Sequence, residues 1–144
     1  MRILFDIDVL LDVLIARDPF VVNAAKLLNA VELGQIDGYL APHAITTLHY
    51  LVAKKLGQTG ARDVVARLLR LFSVTVVNQI VYYDALRNKA NDFEDAVQAA
   101  TAHHLGLDGI VTRNLDDYRS AGVTTYSPTE LVAWLARQQA AEGE

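Results

Sequence analysis

Short apolar runs alternate with helix-periodic segments along this chain, and that alternation constrains its fold more than any other feature. RILFD at 2–6, GYLAP at 38–42, SVTVV at 73–77, GIVT at 109–112 and VTTY at 123–126 are each too brief for a helix. Strands buried on both faces read as continuous apolar runs of this kind. Between them the spacing turns helical. Val9, Leu10, Val13 and Leu14 follow Asp8, and a second set from Phe20 to Leu33 stops at Gly34. Further helices are predicted from Pro42 to Gly57, from Ala61 to about Phe72 after Gly60, from about Gln79 to Lys89, and from Asp92 to Leu105 before Gly106. Ser127, Pro128 and Glu130 open the last helix with a capping pattern.

Strands separated by helices of about 12 residues pair in parallel, because each return to the sheet needs a crossover. The predicted fold is therefore α/β: a three-layer α/β/α sandwich with a central parallel sheet of about five strands. One domain spans residues 1–137, and residues 138–144, which lack an apolar face, are expected to fray.

Composition removes several classes of function. The chain has no cysteine, which excludes disulfides and thiolate metal sites. Every apolar stretch is broken by Asp, Arg, Lys or Gln before it reaches the length of a membrane span. The opening MRILFDIDVLLDVLIARD places acids inside what would be the apolar part of a signal peptide, so a cytoplasmic protein with no membrane partner is expected. A net charge of −4 argues against a broad basic footprint for duplex nucleic acid.

Ligands in open α/β sheets bind at the carboxyl ends of the strands, where strand order reverses. Asp6 and Asp8 follow the first strand; Asp92, Glu94 and Asp95 begin the helix before the fourth; Arg113, Asn114, Asp116 and Asp117 follow the fourth. If the first and fourth strands are neighbours, these acids converge. Carboxylates within about 4–6 Å of one another raise each other's pKa, and a cation relieves them. Hard oxygen donors without thiolates select Mg²⁺ or Mn²⁺, which serve phosphoryl transfer and phosphodiester hydrolysis.

Several of these residues also have plain structural readings. Asp8 suits a helix N-cap, and Asp92 with Asp95 three positions on resembles a capping box. Asn114 suits either a turn cap or a site role. Asp6 differs, since it ends a buried strand, where an unpaired carboxylate is costly and calls for a metal or a donor network. Asp12 is expected to face solvent or a cleft. His43, His49, His103 and His104 show no paired ligand spacing and are expected at the surface. Lys54, Lys55, Arg62, Arg67 and Arg70 read as a solvated basic face, and Tyr82, Tyr83 and Trp134 as packing aromatics.

The ordered set FDIDVLLDVL at 5–14, DFEDAVQAATA at 92–102 and DGIVTRNLDDY at 108–118, through the closing SPTEL at 127–131, resembles the PIN-domain family, in particular the VapC-type toxin ribonucleases. The resemblance implies a metal-dependent endoribonuclease acting on single-stranded or loop RNA. Asp6 and Asp95 match the family's principal metal-binding acids, and Asp117 or Asp92 would assist. Asn114 stands at a position often occupied by Asp and would orient water or phosphate, and Arg113 would neutralise phosphate charge. The resemblance further implies a homodimer silenced by a cognate antitoxin protein.

Two positions depart from the family pattern. The Glu usually found on the third helix falls at Thr47, and Asp8 replaces the usual Asn. Asp8 and Asp92 are the acids placed to restore the lost ligand. Two rival readings stay open: a PIN-like binding module that lost activity through Thr47, and a haloacid-dehalogenase-type phosphatase, whose opening Asp-x-Asp DIDVL also fits.

Overall fold

The computed structural model describes residues 1–90 and 92–143. In chain order the elements are β1 (Arg2–Phe5), α1 (Ile7–Leu14), α2 (Val21–Glu32), β2 (Asp37–Leu40), α3 (Pro42–Leu71), β3 (Ser73–Val74), α4 (Gln79–Arg87), α5 (Phe93–His104), β4 (Gly109–Val111), a 3₁₀ turn (Leu115–Tyr118), β5 (Thr125–Tyr126) and α6 (Pro128–Glu142). All strand pairs are parallel, in the order β3-β2-β1-β4-β5. The expected parallel five-stranded α/β architecture is what the chain adopts.

β1 lies at the centre, with Leu4 in register with Tyr39 of β2 and Ile110 of β4. Ile3, Leu4 and Phe5 have no solvent exposure. Each gains about 1.5–3 kcal/mol from burial. Because side chains alternate along a strand, the three serve two layers. Ile3 and Phe5 pack with Val9, Leu10, Leu27, Leu48 and Leu131 on one face, and Leu4 joins Ile110, Ala102 and Tyr118 on the other. Gly38 of β2 lets the core close: a Cβ there would stand 2.6 Å from the Phe72 ring. That ring packs edge-on against Phe5 with centroids 5.0 Å apart.

Some local expectations needed correction. The helix predicted from Pro42 to Gly57 and the one predicted after Gly60 form one run broken at Gly57, whose φ of 73° belongs to the left-handed region that glycine tolerates. β3 and β5 keep only two residues each, since they pair only with Tyr39 and Leu40 of β2 and with Ile110 and Val111 of β4. Residues 138–142, expected to fray, continue α6 as exposed helix. Tyr82 and Tyr83 are 46% and 55% exposed rather than buried packing residues, and Tyr82 stacks on Phe93 at the surface. Among the described residues no helix is long and apolar enough to cross a membrane.

The strand order decides where chemistry can sit. The chain leaves β1 toward β2 and β3 on one side and returns through α5 to β4 on the other, so the connections diverge above the carboxyl ends of β1 and β4. That crevice is the topological switch point of the sheet.

Candidate active site

Asp6 stands at the end of β1 and is also the N-cap of α1, in extended conformation with φ −72° and ψ 152°. Its Oδ1 accepts from the Ile7 amide at 2.8 Å and from Gln98 Nε2 at 3.2 Å. Its Oδ2 accepts from Thr112 Oγ1 at 2.9 Å and from the Tyr118 hydroxyl at 3.2 Å. Four donors thus replace water around a residue only 9% exposed. The donor network expected for a carboxylate at the end of a buried strand is present.

Asp8 does not cap the helix, because α1 begins two residues earlier than its apolar spacing implied. Instead its Oδ2 reaches across to the segment after β4, accepting from the Arg113 amide at 3.2 Å, Asn114 Nδ2 at 3.0 Å and Thr112 Oγ1 at 3.5 Å. Its Oδ1 is buried without a hydrogen-bond partner. Burial, reinforced by the charge of Asp6 and partly offset by Arg113, pushes the Asp8 carboxyl up to about 6. Asn114 makes no side-chain cap on the 3₁₀ turn, so its amide serves Asp8 instead.

From the other side, α5 contributes its first turn. Asp92 is the N-cap, its Oδ1 accepting from the Asp95 amide at 2.8 Å, as the capping reading expected. Asp95 is 8% exposed, and its Oδ2 is buried with no hydrogen-bond partner. Burial first, then the charges of Asp92, Asp6 and Asp117, push its carboxyl up to about 7, against the opposing influence of the Tyr118 hydroxyl. One turn further on, Gln98 has no exposure and donates from Nε2 both to Asp6 and to the Tyr118 hydroxyl at 2.6 Å. Burial and the charges of Asp6 and Asp95 raise the Tyr118 phenol, which keeps it protonated as a donor.

Asp12, expected at solvent or a cleft, has no exposure at all. It lies one helical turn beyond Asp8 and holds two guanidinium groups, Arg17 Nε at 2.9 Å and Arg113 Nε at 2.7 Å. Arg17 also donates to the Asp8 carbonyl oxygen at 3.1 Å, and Arg113 lies over the Phe20 ring at 3.9 Å. The two arginines are thereby fixed at the wall of the crevice rather than left to wander in solvent.

A cleft of about 460 Å³ opens among these elements at the switch point. Asp6, Asp8, Asp92, Glu94, Asp95 and Asp117 supply its acids, Arg17 and Arg113 its cations, and Asn114 and Thr47 its neutral polar groups. Of the residues expected to converge there, Asp116 stays exposed and pairs with Arg119, whereas Asp6, Asp8, Asp92, Glu94, Asp95, Arg113, Asn114 and Asp117 reach this cavity. A second cavity of about 510 Å³ meets it at Arg113, but its other walls, including Phe20, Asn23, Ser127 and Thr129, carry no carboxylate.

The donor chemistry suits a hard divalent cation. Buried carboxylate oxygens of Asp95 and Asp8 lack donors, and burial, reinforced by neighbouring acids, already holds both groups toward their neutral form. Among the described residues no three such side chains form a ready-made metal cage. Asp6 and Asp92 are turned toward amide and side-chain donors instead. A cation would have to draw these oxygens inward.

Gln98, Thr112, Tyr118 and Arg17 are not among the residues the sequence singles out as a site, and Asp12 is named there only for solvent or a cleft. A faint signal existed for one of them: Gln98 interrupts the small apolar run AVQAATA on a helix whose positions 95–102 are all buried. Thr112 and Tyr118 carry no sequence mark, because their role depends on β4 lying beside β1.

The model of the PIN domain family matches residues 2–116. A search of curated proteins finds no match. Among solved structures, VapBC-1 from nontypeable Haemophilus influenzae is similar over 90% of this chain and 99% of its own, with a TM-score of 0.67 and 12% identity. VapC20 of Mycobacterium tuberculosis, described as a toxin that cleaves the sarcin-ricin loop, is similar over 85% and 96%, with a TM-score of 0.65 and 17% identity. A toxin-antitoxin complex from Klebsiella pneumoniae is similar over 87% and 96%, with a TM-score of 0.65 and 20% identity. The phosphatase reading of DIDVL falls, since the family match runs through that segment and no lysine lines the cleft among the described residues. With the strand order, the acidic switch-point cleft and the family model in agreement, this chain belongs to the PIN-domain family.

Proposed function

We propose that this protein is a divalent-metal-dependent endoribonuclease, the toxin of a toxin-antitoxin pair, hydrolysing phosphodiester bonds in single-stranded or loop RNA. The observation that carries the reading is the unpartnered, buried Asp95 Oδ2 in a cleft of six acids at the switch point. A purely structural carboxylate at such a depth is satisfied by donors.

In this reading Asp6 and Asp95 hold the ion, with Asp8, Asp92 and Asp117 assisting. Mg²⁺ or Mn²⁺ supplies Lewis-acid stabilisation of the phosphate and acidifies water. Gln98, Thr112 and Tyr118 fix the Asp6 carboxylate, so its oxygens are oriented before substrate arrives. Arg113 and Arg17, anchored by Asp12, meet a phosphate that enters beside the acids. Asn114, steadied by Asp8, orients the attacking water or a phosphate oxygen. Ile80, Tyr83 and Leu86 stand exposed along α4, which supports an apolar contact with another chain, as a homodimer or an antitoxin complex requires.

One observation favours a second reading. Thr47 brings no carboxylate to the cleft, which supports a binding module that has lost catalysis. Expression of the chain without a partner in bacterial cells separates the two. The nuclease reading expects growth arrest with fragmented RNA, relieved by Asp6→Asn. Intact RNA and unaltered growth for both forms would favour the binding module.

A further inference from the structure

Thr47 lies on α3, one turn after His43, so the two side chains share a helix face. Both that face and the first turn of α5 border the acidic cleft, and Thr47 and Glu94 line it together. The Glu94 carboxylate does not simply project into solvent from the start of α5. Its Oε1 lies 3.3 Å from His43 Nε2. The contact draws a carboxylate from α5 to the α3 wall, beside the position at which Thr47 offers only a hydroxyl. In the same cleft, Asp95 has a buried Oδ2 without a partner.

We infer that Glu94, positioned by His43, supplies from α5 the carboxylate that α3 lacks at Thr47, and completes the cation site with Asp95. The inference rests on the metal-dependent reading above. Glu94 is half exposed at its side chain, 54%, so it can swing from His43 toward a cation without breaking a packed core. Carboxylate oxygens are the ligands Mg²⁺ and Mn²⁺ accept best, and one added negative charge raises affinity at a site already short of cations. An acid in the first turn of a helix also favours the helix dipole, and that alone would explain Glu94 without any metal. The dipole, however, does not depend on a carboxylate at position 47.

The test is calorimetric titration of the purified full chain with Mn²⁺ alone, for the wild type, Glu94→Gln, Glu94→Gln with Thr47→Glu, Glu94→Gln with Thr47→Asp, and Asp95→Asn. Thermal melting verifies that each variant is folded. The expected result is a loss of affinity of roughly tenfold or more in Glu94→Gln, recovered by an acid at position 47. Unchanged affinity in Glu94→Gln, with binding lost in Asp95→Asn, overturns the inference and leaves the metal reading standing. Weakened binding that neither acid at 47 recovers also overturns it, assigning Glu94 to the general field of the cleft. Absence of Mn²⁺ binding by the wild type overturns both the inference and the reading beneath it.

Discussion

Two buried carboxylates on different helices, Asp12 on α1 and Asp95 on α5, show what a buried acid is for in this molecule. Asp12 has no exposure and is matched by two guanidinium groups at 2.9 and 2.7 Å. Asp95 is almost as buried, with an oxygen that meets no donor and neighbours that are themselves acids. The first is an internally balanced charge, which organises Arg17 and Arg113. The second is balanced only when a cation or a proton arrives. Burial alone does not distinguish a structural acid from a functional one; the partners do.

The largest effect is expected where that balance is broken. Asp12→Asn removes the shared anion of both arginines and should lower stability by about 1.5–3 kcal/mol, the usual range for hydrogen bonds to charged groups. Denaturant unfolding measures it. A loss well under that range would mean solvent already compensates the arginines, and Asp12 would then lose its organising role.

A smaller effect of opposite sign belongs to Asp95. Its folded-state pKa, about 7, lies above the ordinary carboxylate value of 3.8, so the folded protein binds more protons than the unfolded chain between those values. The stability associated with this group is present below about pH 4 and is lost as pH rises through about 7. Asp8, pushed up to about 6, loses its contribution over a slightly lower window. Metal-free Asp95→Asn should therefore gain stability relative to the wild type as pH rises from about 5 to about 8. Added Mg²⁺ should reduce that advantage, since it stabilises only the wild type. Parallel thermal melts across that range test the sign. A difference that stays flat with pH would show that Asp95 is already satisfied without a cation.

Much of this site was legible from residue type and position. Asp6, Asp95 and Asp117 stand next to strand ends or at a helix start, and acids in those places converge once β1 and β4 are neighbours. The parallel sheet followed from apolar runs separated by helices. Less legible were features fixed by contacts far apart in sequence. Gln98 and Thr112 reach Asp6 across 92 and 106 positions; Gln98 is marked only by interrupting a small apolar run, and Thr112 by nothing in its own neighbourhood. Asp8 was misread as a cap because Asp6 performs two tasks, ending the strand and capping the helix. The full burial of Asp12 is hidden for a related reason: its partner Arg113 arrives from the segment after β4, far away in sequence. The sequence stops one helix at Gly57 and restarts after Gly60; the backbone does turn at Gly57, with φ of 73°, but Gly60 stays within the helix, because a single positive φ is enough for the bend.

On the function proposed above, the acidic cleft at the ends of β1 and β4 cleaves RNA with the help of a divalent ion. The most direct test is incubation of purified, partner-free protein with a mixed pool of transfer and ribosomal RNA, in Mg²⁺ or Mn²⁺ and in EDTA, beside Asp6→Asn and Asp95→Asn. Discrete fragments that require the metal and vanish in both variants are the predicted result. Intact RNA with a folded wild-type protein, or fragments that persist in either variant, would contradict the account.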